Sequence, residues 1–148
     1  MYLYLIFACV VLISFFELNL GKRRSVRILL LPILLFFGLS FLRWERGTDW
    51  VPYYYMFRFI DSEYYKTTYE FLFYNLNVLI RSVTENYTYL LLAQAMLIYP
   101  IYHFVIKKYS LAPFVSVMVW FAVSLGSIFF TRQTVAVSLT FLAFHFIV

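Results

Sequence analysis

Charge is what this chain has least of. Only 13% of its 148 residues are charged, and just seven are acidic. Soluble domains carry about a quarter, so this balance disfavours a soluble enzyme and a disordered tail alike. The single cysteine, Cys9, lies in an apolar run and excludes both a disulfide framework and a cysteine-based metal site. There is no phosphate-binding glycine loop, no nucleophile elbow, no metal-ligand pair and no internal repeat. The N-terminus lacks a basic leader and an A-x-A-like cleavage site, so its first apolar run reads as a segment that stays.

What is present is grease. Apolar residues make up 64% of the chain and the mean hydropathy is +0.83. A small domain buries only about two-thirds of its surface, so lipid must cover the remainder. The chain therefore reads as an integral membrane protein, with the bilayer as its first partner. A net charge of +5 does not indicate nucleic acid, because Lys22, Arg23, Arg24 and Arg27 cluster between two greasy segments and Lys107-Lys108 between two others. That spacing marks cytoplasmic loops.

A helix needs about 20 apolar residues to cross a bilayer. Five segments qualify in length or nearly so: 2–20, 26–42, 87–106, 111–130 and 132–148. The expected fold is all-α: a polytopic helical bundle of five transmembrane helices with one interfacial or re-entrant helical segment. Basic residues place 21–27 and 107–108 in the cytoplasm. The loop 43–86, with five basic and six acidic residues, and the N-terminus are then extracytoplasmic. Glu70–Ile80 is apolar but too short to span, and reads as a helix lying on or dipping into the outer leaflet. Pro32 is positioned to kink the second span. The run ending at Val148 has no polar stop, which reads as a fragment of a longer chain.

Polar residues concentrate in Arg43-Trp44-Glu45-Arg46-Gly47-Thr48-Asp49-Trp50, directly after the second span. Gly47 permits a turn with positive φ and Pro52 suits the first turn of a helix running to about Ile60. Arg46 and Asp49 would stand at its entrance, where free N–H groups favour an anion. The plainer alternative is a connector in which Asp49 caps the helix and pairs with Arg43 or Arg46. Arg132 sits at the membrane edge, either as a bidentate phosphate ligand or as a snorkelling anchor. Glu70 opens the interfacial helix. Twelve of the 14 tyrosines fall between Tyr53 and Tyr109, which reads as an interfacial belt, a sugar-stacking surface, or both. Asn86-Tyr87-Thr88 matches a glycosylation pattern that recurs by chance.

Leu42 to Trp50, followed by Tyr53, resembles the R-x-x-x-G-T-D-x-x-x-Y motif of the EpsG family of Wzy-like polysaccharide polymerases. Thr131-Arg132-Gln133 with Ala136 and Ser138 is similar to that family's I-R-Q-x-x-A segment. Tyr69-Glu70-Phe71 with Leu76 resembles the family's acidic segment between the two. Thr131 stands where an aliphatic residue is expected, and the resemblance covers the family's N-terminal portion.

The resemblance implies a bacterial inner-membrane glycosyltransferase of capsule, exopolysaccharide or O-antigen synthesis, working outside the cytoplasm on undecaprenyl-diphosphate-linked repeat units. No cofactor, metal or nucleic acid is implied. Arg46, Arg132 and Asp49 take the catalytic roles, the arginines on the diphosphate and Asp49 on the acceptor hydroxyl. Arg43, Tyr53, Glu70 and Gln133 are placed on the substrate, with other polysaccharide assembly proteins as further partners. The alternative is a non-catalytic truncated or accessory subunit of such an assembly, and a 148-residue fragment is expected to be inactive alone. A transporter fits less well, since the first four spans hold few polar residues.

Overall fold

A computed structural model describes residues 2–20, 22–43, 45, 49–123 and 131–147. Among them the regular elements are all helical: α1 (Tyr2–Leu20), α2 (Lys22–Ile28), α3 (Leu30–Phe41), α4 (Trp50–Arg58), α5 (Glu63–Thr68), α6 (Phe71–Val83), α7 (Tyr87–Tyr109), α8 (Pro113–Val123) and α9 (Thr131–Ile147). The all-α expectation is met. The expected spans 2–20, 87–106 and 132–148 begin or end within a few residues of α1, α7 and α9. Residues 124–130, which complete the expected fourth span, lie outside the described residues.

Among the described residues one helix, α7, is long and apolar enough to cross a membrane by length and composition. Its 23 residues extend ~34 Å at the α-helical rise. Ser25–Phe41, Phe71–Val83 and Pro113–Val123 are apolar but shorter.

Prolines account for several boundaries. A proline ring collides with the carbonyl four residues before it, and for Pro32 that residue is Ile28, where α2 ends. Leu29 itself keeps right-handed helical dihedrals, φ −53° and ψ −30°, and its N–H still reaches the Ser25 carbonyl at 2.9 Å, so the chain does not unwind there. The break between α2 and α3 falls one turn before Pro32, the residue expected to kink the second span. Pro113 opens α8, and Pro52 occupies the first turn of α4, where its missing N–H has no partner to lose. Asn86 caps α7 by accepting the Thr88 N–H at 3.0 Å.

The main core gathers Val10 of α1, Ile33 and Phe36 of α3, Ile98, Tyr99 and Tyr102 of α7, and Val117 and Phe121 of α8. α7 packs along α3 and α9, and α1 packs along α8. Outside this core, large apolar side chains such as Leu12, Phe15, Leu31 and Phe146 face outward, the inverse of a soluble surface. Cys9, also exposed, lines an apolar groove of about 320 Å³ with residues of α1, α2 and α3 and with Phe114.

The two ends of the bundle differ. At one end α1 finishes, α8 starts, and Glu17, only 5% exposed, accepts the Phe114 N–H with both oxygens and the Val115 N–H at 3.1 Å. At that end of α7, Lys108 Nζ and Tyr109 Oη approach His145 Nδ1 of α9 at 3.2 and 2.6 Å. The other end carries α4, α5 and α6. Trp50 and Phe57 of α4 bury themselves against Tyr87, Leu90 and Leu91 at the head of α7. Met56 and Ile60 pack with Phe73 of α6. Phe73 and Asn77 are the buried face of α6, while Phe71, Leu72, Leu79 and Val83 stay exposed. The segment expected over Glu70–Ile80 is therefore a helix with one greasy side uncovered, and α5 is an additional helix that patterning did not mark.

Candidate aromatic and cationic site

The site is assembled where α3 ends and α7 and α9 begin. α3 closes with the Leu42 N–H on the Gly38 carbonyl at 3.0 Å, and Arg43 follows, 6% exposed. Asp49, Tyr87 and Tyr99 lie within electrostatic reach of its guanidinium. Burial pushes the Arg43 pKa down, and the two phenols and the carboxylate act to raise it. Such a cation is part of the packing as well as of the charge pattern.

Beyond Arg43 the chain turns through a strained residue, Glu45, with φ 50°. A left-handed conformation costs an L-residue about 1–2 kcal/mol, and strain of this kind gathers at functional segments. The sequence reading gave the positive φ to Gly47. Gly47 lies outside the described residues, as do Arg46 and Thr48, so the expected place of Arg46 at the helix entrance has no structural counterpart here.

Asp49 takes the N-cap position of α4, but its side chain does not cap the helix. The capping half of the connector reading is therefore corrected: the carboxylate lies within electrostatic reach of Arg43 and of Tyr87. One turn on, Tyr53 bonds back to the Asp49 carbonyl through its N–H at 3.3 Å. Its ring packs edge-on to Phe73 at 5.6 Å and lies 6.2 Å from Tyr69. Tyr53 thereby joins two groups: Arg43, Asp49 and Tyr87 on one side, Tyr69, Glu70 and Arg132 on the other.

The second group is the better defined. Glu70 is the N-cap residue of α6, yet its side chain turns away from its own helix. Its Oε2 accepts a hydrogen bond from Arg132 Nη1, 3.1 Å away and 62 residues distant in sequence. The guanidinium carbon stands 5.6 Å from the centroid of the Tyr69 ring, a cation–π distance. Arg132 retains 36% and Glu70 63% side-chain exposure, so both remain open to solutes. The Tyr69 phenol is pushed up from its usual range, mostly by burial and by Tyr53, while Arg132 opposes the shift. At neutral pH the guanidinium therefore faces a neutral ring.

Gln133 goes elsewhere. It lines a mainly apolar cavity of about 730 Å³ between α7, α8 and α9, together with Tyr102, Trp120, Thr134 and Phe141. Neighbours on a helix point about 100° apart, so the Arg-Gln pair serves two different surfaces. Arg43, Asp49, Glu70 and Arg132 are not among the lining residues of this cavity. The charged group and this cavity do not coincide.

Of the residues singled out from sequence, Arg43, Asp49, Tyr53, Glu70 and Arg132 thus converge at one end of the bundle. Tyr69 and Tyr87 were not singled out, although Tyr69 immediately precedes Glu70 and Tyr87 opens a span. Among the described residues no group of three or more His, Cys, Asp or Glu side chains is placed to hold a metal ion. The arrangement supplies an exposed guanidinium on an aromatic platform, a carboxylate beside it, a second carboxylate across a tyrosine, and rings for flat apolar faces. Residues 26–148 match a protein-family model described as the EpsG family. No curated protein and no solved structure matches the chain.

Proposed function

Because the chain belongs to the EpsG family, we propose that it is a membrane polysaccharide-polymerase-like protein of the bacterial cytoplasmic membrane. In this reading the spans are those expected from hydropathy, 2–20, 26–42, 87–106, 111–130 and 132–148, with the N-terminus and the loop 43–86 outside the cytoplasm. Supporting it, the basic pair Lys107-Lys108 and the buried Glu17 contact lie at one end of the bundle, and the aromatic-cationic group lies at the other.

The reaction is transfer of a growing glycan from undecaprenyl diphosphate to a hydroxyl of a lipid-linked repeat unit. A bond forms between the anomeric carbon and the acceptor oxygen. The carbon–oxygen bond to the diphosphate breaks, and its electron pair leaves with the phosphate. Arg132, and Arg46 with it, binds the diphosphate through the bidentate geometry that guanidinium offers phosphate oxygens, stabilising the charge as it develops. Asp49 takes the acceptor proton. Tyr53 and Tyr69 hold sugar rings between the two charges, with Arg43 and Glu70 shaping the ends of that strip and Gln133 facing the lipid-side cavity.

The observation that carries this reading is the convergence of Arg132, Glu70 and Tyr69 with Tyr53 and Asp49. These residues come from three separate stretches of chain, 49–53, 69–70 and 132, and meet at one end of the bundle. The test is complementation of a polymerase-deficient strain with the complete gene, wild type, Arg132→Ala and Asp49→Asn, resolving the surface glycan by size. Ladders from the wild type and single repeat units from both variants are expected. Normal ladders from Asp49→Asn would remove its role as base.

A further inference from the structure

An arginine exposed at the outer edge of a bilayer stands among phosphate headgroups of ordinary lipids. Left alone, its fork would be filled by those whose headgroups carry a net negative charge. In this structure the fork meets a carboxylate of the chain itself: Glu70 Oε2 lies 3.1 Å from Arg132 Nη1. Glu70 is drawn into that contact and away from the N–H groups of α6, the helix it opens and does not cap through its side chain. The guanidinium carbon meanwhile stands over the Tyr69 ring, 5.6 Å from its centroid, a cation–π distance that leaves N–H groups of Arg132 for an anion.

We propose that Glu70 is the resident occupant of the Arg132 site, a tethered carboxylate that excludes single-phosphate lipid headgroups and is exchanged for a diphosphate. The inference rests on the reading of Arg132 as a diphosphate ligand. Its logic is one of thresholds. An ion pair this exposed is weak, so a diphosphate, with more charge and a bidentate grip, displaces the carboxylate. Displacement weakens every anion by the same factor, and a weakly held single phosphate then falls below occupancy. Tyr69 holds the guanidinium in place while the anions exchange. Glu70 is a positioning residue in this scheme: it sets which anion Arg132 accepts and transfers no proton.

The experiment measures inorganic pyrophosphate binding to the intact chain in nanodiscs of phosphatidylcholine and, separately, of phosphatidylglycerol-rich lipid. The proteins are wild type, Glu70→Gln, Arg132→Gln and the double variant. Glu70→Gln keeps the side-chain shape at an exposed position, and thermal melting run alongside checks that each variant is folded. In phosphatidylcholine, Glu70→Gln is expected to bind pyrophosphate about two- to five-fold more tightly than wild type. The double variant should show no such gain. In phosphatidylglycerol the Glu70→Gln advantage over wild type should shrink towards one, because its phosphate, unlike that of phosphatidylcholine, is not neutralised by an ammonium in the same headgroup and fills the vacated fork. Taking the ratio of the two proteins in each lipid removes the effect of surface charge.

If Glu70→Gln binds no better than wild type while Arg132→Gln binds worse, the occupant role is overturned and Arg132 keeps its assignment. An advantage of equal size in both lipids overturns the exclusion of lipid headgroups. Equal binding by wild type and Arg132→Gln removes the diphosphate reading and this inference together.

Discussion

The carboxylate of Glu17 accepts the Phe114 backbone N–H through both of its oxygens, at 3.0 and 2.9 Å. The two residues are 97 positions apart, and the contact fixes the end of α1 to the start of α8. Helices leave their first N–H groups without internal partners, and here a side chain from another helix supplies them. Glu17→Ala strands those groups in a buried place, where each lost bond to a charged acceptor costs about 1.5–3 kcal/mol. Thermal unfolding in detergent should show a loss of about 3 kcal/mol or more for Glu17→Ala and a smaller loss for Glu17→Gln. An unshifted melting point in the alanine variant would make the contact incidental.

Arg132→Lys retains charge but loses the planar fork that the guanidinium presents beside Tyr69. Polymer made by the complete gene in the complementation assay should fall about ten-fold with lysine and about a hundred-fold or more with alanine. Equal output from arginine and lysine would mean that a point charge suffices.

Tyr53 is the ring between the two charged groups, so its substitutions separate packing from hydrogen bonding. Tyr53→Phe should leave polymer length near wild type, because the face against Phe73 and Tyr69 persists. Tyr53→Ala should shorten the ladder and lower stability by about 3 kcal/mol, the usual range for removing a packed ring. Equal loss in both variants would assign the role to the hydroxyl.

Tyr69 has its pKa raised above the ordinary 10.0. The folded protein then holds the phenolic proton more tightly than the unfolded chain. The stability this provides is complete below the unfolded pKa and is lost as pH rises through the folded one. Melting temperature followed upward from about pH 9 should fall less steeply in Tyr69→Phe than in wild type. Coincident curves would show that the ring is not held as described.

Hydropathy alone marked α1, α7 and α9 closely, because each is a long, largely apolar run. It was weaker where a single residue interrupts a helix: Pro32 acts on Ile28, four residues away, so a run that reads as one span is α2 followed by α3. α5 was invisible because Glu63 to Thr68 is polar and short. In the site, Arg132 and Glu70 were legible as residue types, but their pairing depends on α9 and α6 meeting across 62 positions. Arg-Gln looked like one unit and is two, since helical geometry sends Gln133 to the α7–α8–α9 cavity. Glu17 was visible as an acid near the end of a span, yet nothing local in sequence names Phe114 as its partner.

Cys9 lines the groove shared by α1, α2 and α3, and it is the chain's single thiol. A small environment-sensitive fluorophore attached there would report on the surroundings of that groove through a residue this chain already carries. The groove's lining includes none of Arg43, Asp49, Tyr53, Glu70 and Arg132. Emission from such a label would therefore follow movement of α1 against α3 while leaving the opposite chemistry untouched, a spectroscopic window built into the wild-type protein.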